Sequence, residues 1–393
     1  LFFHFCTKLK VPAFLGSSFA FLGGFSAMAE LSSGMYATME PSEKLQYACG
    51  GIVIAGLLYV VLAAIIKAVG VHRVMHFLPP VVTGPIIILI GLNLAPSAVS
   101  NASSCWWLAL VSMAIIIVAN IWGRGMIKII PILLGVVGGY VVALCAGMVD
   151  FSGFAGSSLL TGENAVLGLQ PFLKNFSGSV AKFDLTAILV MAPIAVASMM
   201  EHIGDVSAIS ATVGENFIED PGLHRTLIGD GVATALAGLF GGPANTTYGE
   251  NTGVLVLSRV HDPRVVRLAA IYAIILSFSP AFAHLVNTIP SAIIGGVSFI
   301  LYGMISAIGV RNVVENHVDF TNSRNLIIAA VILVCGLGFT DGLTFQVGAA
   351  SITLTSLAIA AIAGIVLNAI LPGNDFYLGK SASGDDAGSL GKY

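Results

Sequence analysis

Two short stretches concentrate the residues able to do chemistry. The first, Glu201-His202-Ile203-Gly204-Asp205, follows an apolar run that ends at Met200. Glu201 and Asp205 are four residues apart and so share one face of a helix, while His202 sits about 100° around it. Two close carboxyl groups in poorly hydrated surroundings ionise as a coupled pair, which suits a group that loads and releases a proton. The second stretch, Asn245-Thr246-Thr247-Tyr248-Gly249-Glu250-Asn251-Thr252-Gly253, opens extended after Pro243 and turns helical near Gly249. The free N–H groups of that first turn form a positive dipole end, and Glu250 stands there. Plainer readings compete: a solvated cap for Glu201 and Asp205, a packing residue for His202, a first-turn acid for Glu250.

Together these groups outline a ligand. Glu201 and Glu250 supply acceptors for ligand N–H groups. Backbone N–H groups near Phe19 and Gly249 supply donors for ligand carbonyls, and Phe19 and Tyr248 supply flat apolar walls. A planar molecule alternating N–H and C=O satisfies the set, and a pyrimidine such as uracil is the simplest example. Two acids would repel an inorganic anion unless protonated, and a bare metal ion would want more oxygen ligands.

The elements that position these residues lie in a membrane. Of 393 residues, 56% are hydrophobic and only 9% charged, against about 25% charged in a soluble domain. That excludes a water-soluble enzyme and a disordered chain, and a net charge of −3 leaves no basic footprint for nucleic acid. The five cysteines are scattered in or beside apolar runs, as packed free thiols would be. No HExxH and no Ser/His/Asp set at one depth points to an enzyme, and no cofactor is implied.

A spanning helix needs about 20 mostly apolar residues. Residues 45–66, two spans within 74–123 broken near 93–104, 129–149, 184–200, 231–249, two spans within 268–310 split at 287–290, 325–340 and 342–371 qualify. Interrupted segments at 12–29 and 243–260 bring the expectation to about 12 segments. Residues 1–7 read as the tail of a helix whose beginning is missing, so the sequence is read as a fragment. With Lys8 cytoplasmic and sides alternating, every Lys and Arg falls inside except Lys44, Lys174 and Lys182, as the positive-inside rule requires. Trp107 and Trp122, roughly 23 Å apart on a helix, then occupy opposite interfacial belts.

Two patterns recur. Pro12, Ser17-Ser18 and Phe19 resemble Pro243, Thr246-Thr247 and Tyr248: a proline, a hydroxyl pair, then an aromatic. Pro79 with Gly84 matches Pro290 with Gly295. The matching segments enter from opposite sides, as an inverted repeat requires. Transporters place their substrate sites near the midplane between such paired interrupted segments.

Residues 11–21, Glu201 to Asp205, Asp220-Pro221-Gly222-Leu223-His224-Arg225 and 245–254 resemble the uracil permeases of the nucleobase–cation symporter-2 (nucleobase–ascorbate transporter) family. The resemblance covers nearly the whole chain, and Asn-Thr-Thr-Tyr-Gly-Glu-Asn-Thr-Gly-Val is very specific to it. It implies an all-α polytopic fold with a seven-plus-seven inverted repeat, core and gate domains, and short strands in two interrupted segments. It implies that segment 1 and most of segment 2 are missing here. Residues 1–70 and 184–286 would form the core, 71–183 and 287–372 the gate, and 373–393 a cytoplasmic tail. Glu201 and Glu250 would then bind uracil ring N–H groups, with Phe19, Tyr248 and Gly249 lining the site.

Xanthine and urate members carry Gln where Glu250 stands, which favours uracil. Asp205 replaces a His of the best-studied uracil permeases and also occurs in purine members. The expectation is therefore a proton-coupled uracil importer of the cell inner or plasma membrane, with Glu201, Asp205 and His202 handling the proton. Its partners are uracil or a related nucleobase, protons and lipids, and a homodimer is left open. A xanthine or purine permease is the alternative, and an anion channel or exchanger of the same architecture the more distant one.

Overall fold

The structure, a computed structural model, describes residues 1–32, 34–150, 180–347 and 350–373. Most of the expected tail, 374–393, and the 151–179 part of the 71–183 unit lie outside them. In chain order the elements are α1 (Phe2–Cys6), β1 (Leu15–Ser17), α2 (Leu22–Glu30), α3 (Pro41–Val69), α4 (Val71–Phe77), α5 (Pro80–Ser103), α6 (Trp106–Ile121), α7 (Met126–Ile129) and α8 (Pro131–Cys145). Next come α9 (Leu185–Met191), α10 (Ile194–Val213), α11 (Leu223–Leu239), β2 (Asn245–Thr247), α12 (Gly249–Ser258), α13 (Pro263–Ser277) and α14 (Pro280–Asn287). The last are α15 (Ser291–Glu315), α16 (Ser323–Gly338), β3 (Leu343–Val347), β4 (Ala350–Leu354) and α17 (Ser356–Ile370).

Among the described residues, α3, α5, the α9–α10 run and α15 are long and apolar enough to cross a membrane alone, and α13 and α14 form a pair bent by 91°. Their outer faces stay apolar. Leu57, Val61 and Ile65 of α3 and Leu268, Ile271 and Ile275 of α13 are exposed, a surface that calls for lipid rather than water. The protein is a multi-pass membrane protein.

Small residues set the helix packing, since in lipid the gain comes from close backbone approach. Gly56 of α3 lies against Gly231 and Ala235 of α11, and Gly238 against Ile52 and Cys49. The matched pair Pro79/Gly84 and Pro290/Gly295 opens α5 and α15, which run antiparallel side by side. Gly84 meets Gly309 and Val313, Gly91 meets Tyr302 and Ser306, and Gly295 meets Asn101 and Ala102. Ser306 Oγ also donates to Ile88 O at 3.0 Å. One large buried cluster runs through α3, α5, α10, α16 and α17, and a smaller one joins Leu108 and Ile116 of α6 to Ala143 and Ile293.

Polar ties close the ends. Lys44 is buried and donates to Ala29 O and Leu31 O at 3.3 and 2.7 Å, covering the end of α2. Lys182 pairs with Glu43 at 2.7 Å, and Tyr36 OH donates to Asp184 Oδ2 at 2.8 Å. Lys10 and Lys8 both reach Asp220, Lys8 at 3.5 Å. Arg324 donates to Asn368 O and Oδ1, both at 2.8 Å, and Asn368 donates on to His76 O and Phe77 O.

Three sequence expectations shift. The break expected near 93–104 falls at its far end: α5 continues through Pro96 to Ser103, since a membrane helix accommodates proline where its surroundings satisfy the carbonyl left without a donor. The span expected at 231–249 instead begins at Leu223 and stops at Leu239, before Gly241-Gly242-Pro243 breaks it. The span expected at 342–371 is an antiparallel hairpin, Leu343 opposite Leu354, followed by the shorter helix α17. Hydropathy cannot separate an apolar strand from an apolar helix.

Candidate functional site between paired strands

The two interrupted segments meet strand to strand. β1 pairs antiparallel with β2, Leu15 opposite Thr247, Gly16 opposite Thr246 and Ser17 opposite Asn245. The ladder extends through Ser18 N–H to Ala244 O at 2.7 Å and Tyr248 N–H to Phe14 O at 3.0 Å. An isolated three-residue pair would be marginal in water; here it is enclosed, with Thr246 and Thr247 buried. The segments carrying the hydroxyl–hydroxyl–aromatic triplets therefore pair antiparallel, with the triplets diagonal across the ladder: Ser17 and Ser18 face Asn245 and Ala244, and Thr246 and Thr247 face Gly16 and Leu15.

Each strand leads into a helix start, at Phe19 and at Gly249. Neither Ser18 nor Tyr248 caps its helix through its side chain. First-turn N–H groups of this kind are natural partners for ligand oxygens. The Tyr248 ring stacks on Phe19 at 6.0 Å and 16°, and its hydroxyl donates to Ser17 O at 2.8 Å. Tyr302 of α15 meets Phe19 edge-on at 5.6 Å. Gly16 leaves room for the Tyr248 ring: a Cβ there would fall 2.5 Å from Tyr248 Cζ and displace it.

Helix α10 brings its carboxylates to the same strand. Glu201 is 8% and Asp205 1% exposed. Thr246 Oγ1 donates to Glu201 Oε2 at 3.5 Å and Thr247 Oγ1 to Asp205 Oδ2 at 2.8 Å. The four-residue spacing thus puts both acids on one face, as expected, and each has its own hydroxyl donor. Burying a carboxylate in lipid is costly unless donors meet it. Gly249 is pressed against the same acid: a Cβ there would lie 2.5 Å from Asp205 Oδ1 and 3.1 Å from Ile308 Cδ1. Ser18 Oγ and Ser198 Oγ, 3.2 Å apart, add a further tie between the first strand segment and α10.

The structure brings Phe19, Tyr248, Gly249, Glu201 and Asp205 together. Glu250 follows Gly249 in the first turn of α12; its side chain lies outside what the structure describes. His202 turns away from this group. It is fully buried, with Nδ1 2.9 Å from Asp230 Oδ2 of α11, itself fully buried, and the Tyr59 and Phe3 rings lie edge-on to the imidazole.

Sequence reasoning missed Asp230, the carboxylate contacts of Thr246 and Thr247, and Tyr302. Asp230 was legible as an acid inside an apolar stretch, but the expected span began at Gly231, one residue too late to include it. The threonines were legible as half of the repeat, not as donors, since that role depends on where α10 passes.

Paired half-helices around a buried, acid-bearing site define the class: a membrane transport protein built on an inverted repeat. The chain belongs to the family described as "Permease family", whose profile matches residues 1–345. It is 41% identical over 379 residues to the uracil permease of Bacillus subtilis, covering 93% of this chain and 82% of that one. It is 36% identical over 381 residues to a probable uracil permease of Haemophilus influenzae, covering 95% and 85%. Among solved structures, the transmembrane domain of the cyanobacterial bicarbonate transporter BicA is similar at a TM-score of 0.50 and 14% identity, covering 92% of this chain and 85% of that one. SLC26A9 is similar at 0.56 and 12%, covering 93% and 58%. At that identity the two structures speak for the fold, the seven-plus-seven inverted repeat, alone.

Proposed function

We propose that this protein is a proton-coupled symporter that imports uracil across the cytoplasmic membrane by moving a core (1–70 and 184–286) against a gate (71–183 and 287–372). The observation that carries it is the pair of buried carboxylates, Glu201 and Asp205, held by Thr246 and Thr247 beside two uncapped helix starts. The names of the relatives support the substrate.

In this reading Glu201 and Glu250 accept from the ring N–H groups of uracil. The N–H groups at Phe19 and Gly249 donate to its carbonyls, and Phe19 and Tyr248 cover its faces. A proton taken up by the Glu201/Asp205 pair removes a buried charge as the base docks, so the loaded core carries less desolvation cost when it moves. His202, paired with Asp230, lies one step behind and completes the proton-handling set.

Uptake of radiolabelled uracil driven by an inward proton gradient tests the reading. Glu201→Gln and Glu250→Ala proteins, present in the membrane at wild-type amounts, should lose most of it. Undiminished uptake in both would overturn the assignment, and uptake that follows a sodium gradient instead would overturn the coupling ion. Competition between unlabelled uracil and xanthine separates this reading from a purine permease, which Asp205 alone would also suit.

A further inference from the structure

Phe19 faces more than the carboxylate site. With Asn93 of α5, Leu337 of α16, Thr340, Thr355 and Ser356 it lines a cavity of about 280 Å³. Drug-sized ligands fill pockets of roughly 300–1,000 Å³, so this volume suits a single small ring. The polar side chains sit toward the ends of α16 and α17 that the distribution of Lys and Arg makes external.

Polar side chains between membrane helices are costly and need partners. Thr355 has one: it caps α17, accepting from Ala358 N–H at 3.4 Å. Asn93 is the less explained group. Its Nδ2 donates to Ser356 Oγ at 3.2 Å, which ties the middle of α5 to the first residue of α17 and fixes the plane of the amide. A carboxamide carries two N–H donors and an acceptor oxygen. With one N–H engaged by Ser356, the amide keeps a second N–H and its carbonyl oxygen for a ligand. A donor and an acceptor on one amide match an N–H and a C=O on a planar ring, the groups Asn uses at a base edge. Phe19, stacked on the far side with Tyr248, offers the ring a flat wall and links this cavity to the strand-end site.

We propose that Asn93, oriented by Ser356, is a base-reading residue. It holds the amide edge of an incoming nucleobase against Phe19 before the base reaches Glu201 and Asp205, and so helps decide which bases are admitted. The inference rests on the nucleobase reading above and adds a second point of selection, on helices that do not carry the carboxylates.

The test compares wild type, Asn93→Leu, Asn93→Asp and Ser356→Ala for uptake of labelled uracil, with unlabelled uracil, thymine and xanthine as competitors and membrane abundance measured for each. Asn93→Leu should raise the half-saturating uracil concentration about tenfold, the loss of one or two good hydrogen bonds, and change the uracil-to-xanthine preference at least severalfold. Ser356→Ala should shift both in the same direction by less, and Asn93→Asp should change the preference with near-normal abundance. Unchanged half-saturation and preference in Asn93→Leu overturn the proposal. So does an equal loss for every base with lowered maximal rate and abundance, which marks a packing role. If wild type carries a different base and no uracil, the substrate reading falls and Asn93 is judged on that base by the same ratios. If it carries none, both fall.

Discussion

Thr247 donates its hydroxyl to Asp205 Oδ2 at 2.8 Å, tying strand β2 to helix α10. Both side chains are buried, so the carboxylate has little water to replace that donor. Thr247→Val keeps the shape and removes the hydrogen bond, at about 1–3 kcal/mol for a buried group left unsatisfied. Uptake should fall about tenfold or more at low substrate, and Thr247→Ser should keep most of it. Equal uptake by the valine and serine variants would show that the bond contributes nothing.

Gly249 tests how tightly the helix start is pressed onto that acid. A methyl there would sit 2.5 Å from Asp205 Oδ1, and overpacking costs about 1–3 kcal/mol. Gly249→Ala should therefore depress uptake strongly, while Gly303→Ala, where a Cβ meets nothing within 4 Å, should not. The comparison needs only uptake and membrane abundance.

His202 and Asp230 form a pair 2.9 Å apart with no exposure on either side chain. Removing one partner of a buried pair costs about 3–5 kcal/mol, whereas replacing both with apolar groups can be close to neutral. Asp230→Leu should lower the melting temperature in detergent by several degrees, and His202→Leu/Asp230→Leu should recover a good part of it. Additive losses would mean that the two groups do not interact. Uptake by the double variant reports separately on whether the pair handles protons.

Asp220 provides the pH prediction. The hydrogen bond from Lys10 holds its carboxyl below the ordinary value of 3.8, with smaller charge contributions from Lys10 and Lys8. A lowered folded-state value means that the contribution is present in full above the unfolded value and is lost as pH falls through the folded one. The melting-temperature advantage of wild type over Asp220→Asn should thus be flat near neutrality and shrink below about pH 4. The ion pair is exposed, so added salt should shrink it too. An advantage that grows on acidification would contradict the sign.

Much of the site could be read in the chain because its signals are local. Few acids occur inside apolar runs, so Glu201, Asp205 and Glu250 stood out. The Ser17-Ser18-Phe19 and Thr246-Thr247-Tyr248 triplets gave the repeat, and β1 and β2 prove to be paired. Residues 342–371 and Asp230 were misread for one reason. Hydropathy averages over a window, so it reports neither where a helix starts nor whether an apolar run is coiled or extended.

Composition and spacing by themselves determined the bilayer as solvent, the two interrupted segments and the shared face of Glu201 and Asp205. These follow from charge fraction and helical period, which need no knowledge of neighbours. Only the tertiary structure decided which hydroxyl meets which carboxylate, that His202 turns to Asp230, and that Asn93 lies across from Ser356. Each joins side chains from separate elements, 25 or more positions apart in the sequence. Their meeting depends on how closely small residues let α3 approach α11 and α5 approach α15, and that packing is a property of the assembled helices, not of any one segment.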